Sequence, residues 1–188
     1  VTSEQGVFER LVLESFQSGL SWSTILKKRE AFRNAFASFI PEAVAAFTDQ
    51  DRERLMQDAG IVRNKRKIDA AITNAQAVIA LCSALAAESD AHRAGRMEEA
   101  PLAQLLRPRQ PYPRHLGELV WLYQPSHQPR PKNAGEVPAQ TEESRALSAE
   151  LKRRGFVFVG PVTALALMSA IGIVNTDILG TWKRPLSE

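Results

Sequence analysis

The stretch from Thr141 to Gly172, TEESRALSAELKRRGFVFVGPVTALALMSAIG, constrains the fold more than any other. Thr141 stands where a helix N-cap belongs, and Glu142 and Glu143 follow in the first turn. Lys152, Arg153 and Arg154 close the same helix, and Gly155 takes the position after its end. Acid first, base last and glycine after match the helix dipole and the unpaired groups at each terminus. FVFVG, 156–160, is too short for another helix. Pro161 then opens a second helix and Gly172 closes it. The result is helix, tight connector, helix over about 141–172. Such a unit can be an αα-hairpin that only packs. It can also direct the backbone amides around Gly155 and Gly160 at a DNA phosphate, with Lys152, Arg153 and Arg154 alongside. These residues alone leave both readings open.

The rest of the chain is also helical, and no alternating strand pattern competes. Val7, Phe8, Leu11 and Val12 predict a helix over 5–17, which Gly19 ends and Ser21 follows as the next cap. A second helix is expected over 22–36, with Trp22, Ile25, Leu26, Phe32 and Phe36 inward. Pro41 opens a short helix over 41–46. Thr48 caps another that Gly60 stops, and a long helix follows over about 64–86. Residues 88–114 are polar and rich in arginine and proline, and read as an exposed insertion with one helical turn near Leu102–Leu106. A short helix over 116–123 and a proline-rich surface stretch lead to Thr141.

One domain spanning 1–188 is expected, with a formal charge of +3. The charge hints weakly at an anionic partner, but its clustering is more informative: Lys27–Arg29, Arg63 with Lys65–Lys67, and Lys152–Arg154. The single cysteine, Cys82, excludes an internal disulfide framework and fits a reducing compartment, so the cytoplasm is expected. No window of about 18 apolar residues is expected, and hence no membrane partner.

Glu14 is the anomaly. It shares a helical stripe with Val7 and Leu11, where an ionised carboxylate is costly to bury without a partner. Gly19 and Ser21 turn the chain, and Trp22 follows at the next helix start. A carboxylate beside an indole suits a flat, cationic, aromatic ligand. A tryptophan at an apolar helical position is ordinarily core, however, and an edge glutamate ordinarily reaches water.

Three segments break the tie: FERLVLESFQSGLSWSTILKKREAFRNAF, DAGIVRNKRKIDAAITNA and ELKRRGFVFVGPVTALALMSAIGIVN. In wording and order they resemble the 3-methyladenine DNA glycosylase I family, over most of 7–79 and 141–180. The resemblance implies an all-α, helix–hairpin–helix bundle and base-excision repair of alkylated double-stranded DNA. It implies that Glu14 is the catalytic, base-recognising acid and that Trp22 stacks on the extruded base. Leu20, after Gly19, would fill the gap left in the duplex. The DNA-gripping hairpin would be Lys152, Arg153, Arg154, Gly155, Phe158 and Gly160, with Lys65 and Arg66 on the same face. Gly160–Thr163 carries no lysine where bifunctional relatives form a Schiff base, so a monofunctional, water-dependent reaction without strand cleavage is implied.

The sequence departs from the family in two ways. Nothing in it matches the family's N-terminal segment, which holds a YHDNEWG-like motif with a base-binding tyrosine and two zinc ligands, a cysteine and the motif's histidine. Asp177 and Thr181 stand where a zinc-ligating histidine and cysteine are expected. No metal and no cofactor are therefore expected, and packing by Trp182 is expected to hold the C-terminal end. A monomer is expected. The competing readings are a DNA-binding module of this fold that has lost excision, and a glycosylase for another damaged base.

Overall fold

A computed structural model describes residues 1–100 and 102–181. It contains nine α-helices and, among the described residues, no β-strand: α1 (Glu4–Gln17), α2 (Trp22–Lys27), α3 (Arg29–Ala35), α4 (Pro41–Ala45), α5 (Asp49–Gln57), α6 (Lys65–Arg93), α7 (Leu116–Trp121), α8 (Glu142–Arg153) and α9 (Pro161–Ile171). Short 3-10 turns at Ala37–Phe39, Met97–Glu99, Ala103–Leu105 and Ala134–Glu136 join them.

The caps read from the sequence form as local chemistry dictates. The hydroxyls of Ser21, Thr48 and Thr141 accept the backbone N–H three residues on, and Thr48 forms a capping box with Asp51. Gly19, Gly155 and Gly172 all have positive φ, at 81°, 88° and 90°. That conformation is cheap only for glycine, so these three positions stop α1, α8 and α9.

α1 is the axle of the molecule. Every residue from Val7 to Phe16 except Arg10 is buried, and the helix packs against α9, α7, α2 and α6. Phe16, Phe32, Phe36 and Phe39 form a connected aromatic cluster beside it, with ring centroids 4.8–6.1 Å apart.

Four sequence expectations change. The helix expected over 22–36 breaks at Lys28 (φ −96°, ψ 1°), whose ammonium donates to the carbonyls of Ala59 and Gly60. Leu26 consequently faces out. The helix after Thr48 ends at Gln57, before Gly60, because the Asp58 carboxylate accepts the Gly60 N–H and turns the chain first. The insertion is no solvated loop: α6 extends through Arg93, and Ala91, Ala100, Leu102 and Tyr112 are buried in the core. Finally, α6 is long and apolar enough, by length and composition alone, to cross a bilayer, with a window of mean hydropathy 1.6. Here it is a core helix: Ile68, Ile72, Ala75, Val78, Leu81 and Leu85 bury one face against α4, α5, α1 and α7. Trp182 lies outside the described residues.

Candidate functional site

Three elements converge on one face, and α6 organises them. The Lys67 ammonium, buried near the start of α6, donates to the carbonyls of Phe16 and Ser18 at 2.9 and 2.6 Å. It thereby satisfies the orphan carbonyls at the end of α1 and fixes the turn that carries Gly19 and Leu20. Burial lowers its pKa. Two turns further along α6, Asn74 grips the connector between α8 and α9 from below. Its Nδ2 donates to the Val157 carbonyl at 3.0 Å, and its Oδ1 accepts the Val157 N–H at 2.8 Å. Ser148 Oγ, on α8, donates to the Val159 carbonyl at 2.6 Å. The connector is thus held through its backbone and by the buried side chains of Phe156 and Val159, while Val157 and Phe158 stay exposed.

The exposed side chains on this face are apolar. Leu20 is 39% exposed and Phe158 45%, with Val157 and Val162 also open. Leu20 is pinned at both backbone groups by Gln17, whose carbonyl accepts the Leu20 N–H and whose Nε2 donates to the Leu20 carbonyl, each at 2.7 Å. Phe158 adopts φ 57°, a left-handed conformation that costs a β-carbon residue energy, and it holds its ring outward. Exposed apolar groups held this rigidly mark a contact surface.

Behind the face lies a cavity of about 680 Å³. Glu14 and Trp22 both line it, with Val162, Leu165, Ala166, Ser169 and Ala170 of α9 and Val174–Asp177 beyond. Glu14 is only 3% exposed, and its Oε2 has no hydrogen-bond partner. Burial pushes its pKa up from 4.5 to about 7, and the charge of Arg10 offsets that only in part. Trp22 is 36% exposed. Neither bland alternative holds: the glutamate does not reach water, and the tryptophan is not core. The cavity pairs a desolvated acid with a partly exposed indole.

The other sequence-predicted residues divide. Gly155 and Gly160 bound the connector, and Lys152 is exposed at the end of α8. Arg153 is half-exposed, with its guanidinium on Glu150 at 2.7 Å. Lys65 and Arg66 are exposed on the first turn of α6, and Lys65 pairs with Asp69 at 2.7 Å. Arg154 must be withdrawn from the DNA-contacting set. Its side chain is 4% exposed and is held by Glu150 at 2.5 Å and Glu88 at 2.9 Å. Glu88 also accepts the Tyr112 hydroxyl at 2.7 Å. The reason is geometric: at the C-cap of α8, Arg154 lies within reach of Glu88 on α6 as well as Glu150 on its own helix, and the two carboxylates hold it inward.

Sequence reasoning missed Asn74, Lys67 and Ser169. Asn74 and Lys67 lie inside motif segments, but their partners are 83 and about 50 residues away along the chain. Ser169 carried no signal beyond its place on α9.

Fold and cavity together define a class: an all-helical protein of the helix–hairpin–helix DNA glycosylase type. The methyladenine glycosylase family model matches residues 1–104 and 103–184. DNA-3-methyladenine glycosylase 1 of Escherichia coli (strain K12) is 38% identical over 182 residues, covering 95% of this chain and 82% of that protein. DNA-3-methyladenine glycosylase of Haemophilus influenzae is 34% identical over 177 residues, covering 93% and 80%. A crystal structure of 3-methyladenine DNA glycosylase I superposes with a TM-score of 0.77 at 33% identity, over 98% of this chain and 87% of that one. The Staphylococcus aureus structure solved for the basis of 3-methyladenine recognition gives 0.75 at 28% identity, over 98% and 85%. The chain belongs to the methyladenine glycosylase family.

The zinc of that family does not fit the residues present. Thr181 Oγ1 donates to the Ile178 carbonyl at 2.8 Å and offers no thiolate. Among the described residues no group of three His, Cys, Asp or Glu side chains could hold a metal. Cys82 is no ligand either: burial first, and the Glu4 carboxylate 3.0 Å away, push its thiol up to about 12.

Proposed function

We propose that this chain excises 3-methyladenine from alkylated duplex DNA by hydrolysing the N-glycosidic bond, with Glu14 and Trp22 as the base-reading pair. A base inside a duplex is out of reach, so it must swing into the cavity. The rigid apolar tips, Leu20 and Phe158, suit the gap that extrusion leaves. A methylated adenine in DNA is cationic and already a good leaving group. The protein's task is to hold that charge more tightly than a neutral base, and more tightly still as the bond breaks. A desolvated carboxylate beside an indole face serves that end. Lys152, Arg153, Lys65, Arg66 and the connector amides around Gly155 and Gly160 take the phosphates. Gly160–Thr163 carries no lysine, so water completes the reaction and the strand stays intact. A monomer in the cytoplasm is the form this reading implies.

The observation that carries the reading is the buried, unpartnered Glu14 oxygen in the cavity that Trp22 lines. Incubating alkylated duplex with the protein and measuring free 3-methyladenine tests it. Release well above a Glu14→Ala control, without strand scission, is expected. No release above that control leaves only a DNA-binding module of the same fold, and release of 7-methylguanine or hypoxanthine at matching rates indicates a different damaged base. Truncating Trp22 to alanine is expected to weaken binding of free 3-methyladenine by about 1–3 kcal/mol, the usual value of stacking a base on an aromatic ring. Titration calorimetry reads that loss directly, and an unchanged affinity removes the indole from the pocket.

A further inference from the structure

A second hollow, of about 330 Å³, opens where the 88–114 insertion meets the end of α7, and it shares no residue with the base cavity. Arg107, Arg109, Gln110, Trp121 and Gln124 supply its polar and aromatic surface. One wall is a tight turn. The Gln110 N–H donates to the Arg107 carbonyl at 2.9 Å, with Pro108 and Arg109 at the two central positions. Arg109 has φ 65°, at the place where a turn that begins with proline ordinarily takes glycine. The chain thus keeps an arginine here at a conformational cost.

The charge and hydrogen-bonding balance of the hollow is one-sided. No carboxylate is among its described lining residues. Three other arginines of the insertion are paired: Arg93 with Asp90 at 3.3 Å, Arg96 with Glu99 at 2.8 Å and Arg114 with Glu118 at 2.6 Å. Arg107 and Arg109 pair with no acid among the described residues. Both carboxamide oxygens are engaged already. Gln110 Oε1 accepts the Arg107 N–H at 3.1 Å, and Gln124 Oε1 lies 3.5 Å from Arg107 Nη2. The side-chain N–H groups left over are donors only. Trp121 gives its Nε1–H to the Val1 carbonyl at 2.9 Å, so its indole serves the hollow as an apolar wall.

We propose that this hollow is a separate anion site for the phosphate group of a nucleotide, gripped by Arg107 and Arg109. Guanidinium forks match phosphate oxygens two at a time, and donors without competing acceptors favour an anion over a neutral ligand. The indole offers the rest of the nucleotide an apolar surface. The site goes beyond the base-excising reading, because it uses no residue of that cavity. Its phosphate has two sources, a strand of bound DNA or a free nucleotide. The fold links the hollow to the DNA-gripping hairpin. Tyr112, two residues past the turn, donates its hydroxyl to Glu88 at 2.7 Å, and Glu88 holds Arg154 at the end of α8. These contacts brace the turn against the helix that carries Lys152 and Arg153.

The test sets the full wild-type chain against an Arg107→Gln/Arg109→Gln double variant in two measurements. Both side chains are exposed, so the variant is expected to keep its melting temperature. Titration calorimetry at low salt compares deoxyadenosine 5′-monophosphate with deoxyadenosine. The excess affinity for the phosphorylated form is expected to fall about tenfold in the variant. The second measurement is the slope of log affinity against log salt for a long undamaged duplex, which is expected to fall by about one to two. A fall in the first alone assigns the site to free nucleotides, and a fall in the second assigns it to the DNA backbone. A fall in neither overturns the inference and leaves the reading of Glu14 and Trp22 untouched. Arg93→Gln/Arg96→Gln removes two insertion charges outside the hollow and is expected to change neither measurement. If it lowers them as much as the first variant does, overall charge and not a site is responsible, and the inference fails.

Discussion

Glu14→Gln is expected to make the protein more stable at pH 8 while cutting excision by about 100-fold. Both effects come from the same buried carboxyl group. Its folded pKa of about 7 lies above its ordinary value of 4.5, and burial is the main cause. For an acid raised in this way, the folded state favours the protonated form. Stability from that preference is complete below about pH 4.5 and is lost as pH rises through 7. The gap between 4.5 and about 7 corresponds to about 3 kcal/mol of destabilisation once the group is ionised in the fold. Glutamine carries no charge to desolvate, although its amide leaves some polar surface unpaired. A net gain of about 2 kcal/mol at pH 8, shrinking to nothing near pH 5, is therefore expected in urea melts. The catalytic loss has the size usual for removing one preorganised electrostatic partner of the transition state. A variant that is no more stable at pH 8 than at pH 5, relative to wild type, would show that Glu14 is not buried as an ionisable group.

The same group ties binding to proton release. Burial pushes the Glu14 pKa up to about 7, so near neutral pH the empty cavity holds both protonated and ionised Glu14. On the proposed reading a cationic base favours the carboxylate, so its arrival is expected to expel protons near neutral pH. On the same reading, the free protein keeps an acid that is costly in isolation, and a bound cation removes the cost. The proposed function would account for a glutamate on an apolar helix: the mismatch is local, and the ligand would resolve it.

How far such features can be read from sequence depends on the distance between partners. Thr48, Thr141 and Ser21 act on amides three residues away, so the helix starts were legible. Gly19, Gly155 and Gly172 announce left-handed stops that only glycine adopts cheaply, so the connector's bounds were legible too. Glu14 and Trp22 were visible as oddities that could face one hollow, but its other wall was not, because that wall comes from α9 and the segment after it. Asn74 reads as one more polar residue on a long helix until Val157, 83 residues later, docks on its amide. The insertion misled for a similar reason. Its apolar residues follow no helical period, so nothing local shows that Leu102 and Tyr112 bury themselves.

Arg154 is the sharpest case, and its replacement is expected to change stability and not DNA affinity. In sequence it is the third of three basic residues beside the connector and looks equivalent to Lys152. In the fold its guanidinium is shut between Glu150 and Glu88, which are themselves largely buried. Removing the cation leaves those two carboxylates short of a partner. Glu150 keeps Arg153 at 2.7 Å, and Glu88 keeps only the Tyr112 hydroxyl. Breaking a buried pair from one side costs about 3–5 kcal/mol, so Arg154→Ala is expected to lose about 3 kcal/mol in denaturant melts, the remaining partners offsetting the rest. Lys152→Ala is expected to behave in the opposite way. It should hold its melting temperature and reduce the slope of log affinity against log salt by about one, as loss of a single phosphate contact does. Measured below its melting range, Arg154→Ala should keep the wild-type salt slope. A reduced slope in Arg154→Ala at full stability would put its guanidinium on the DNA and return it to the set from which its burial removes it.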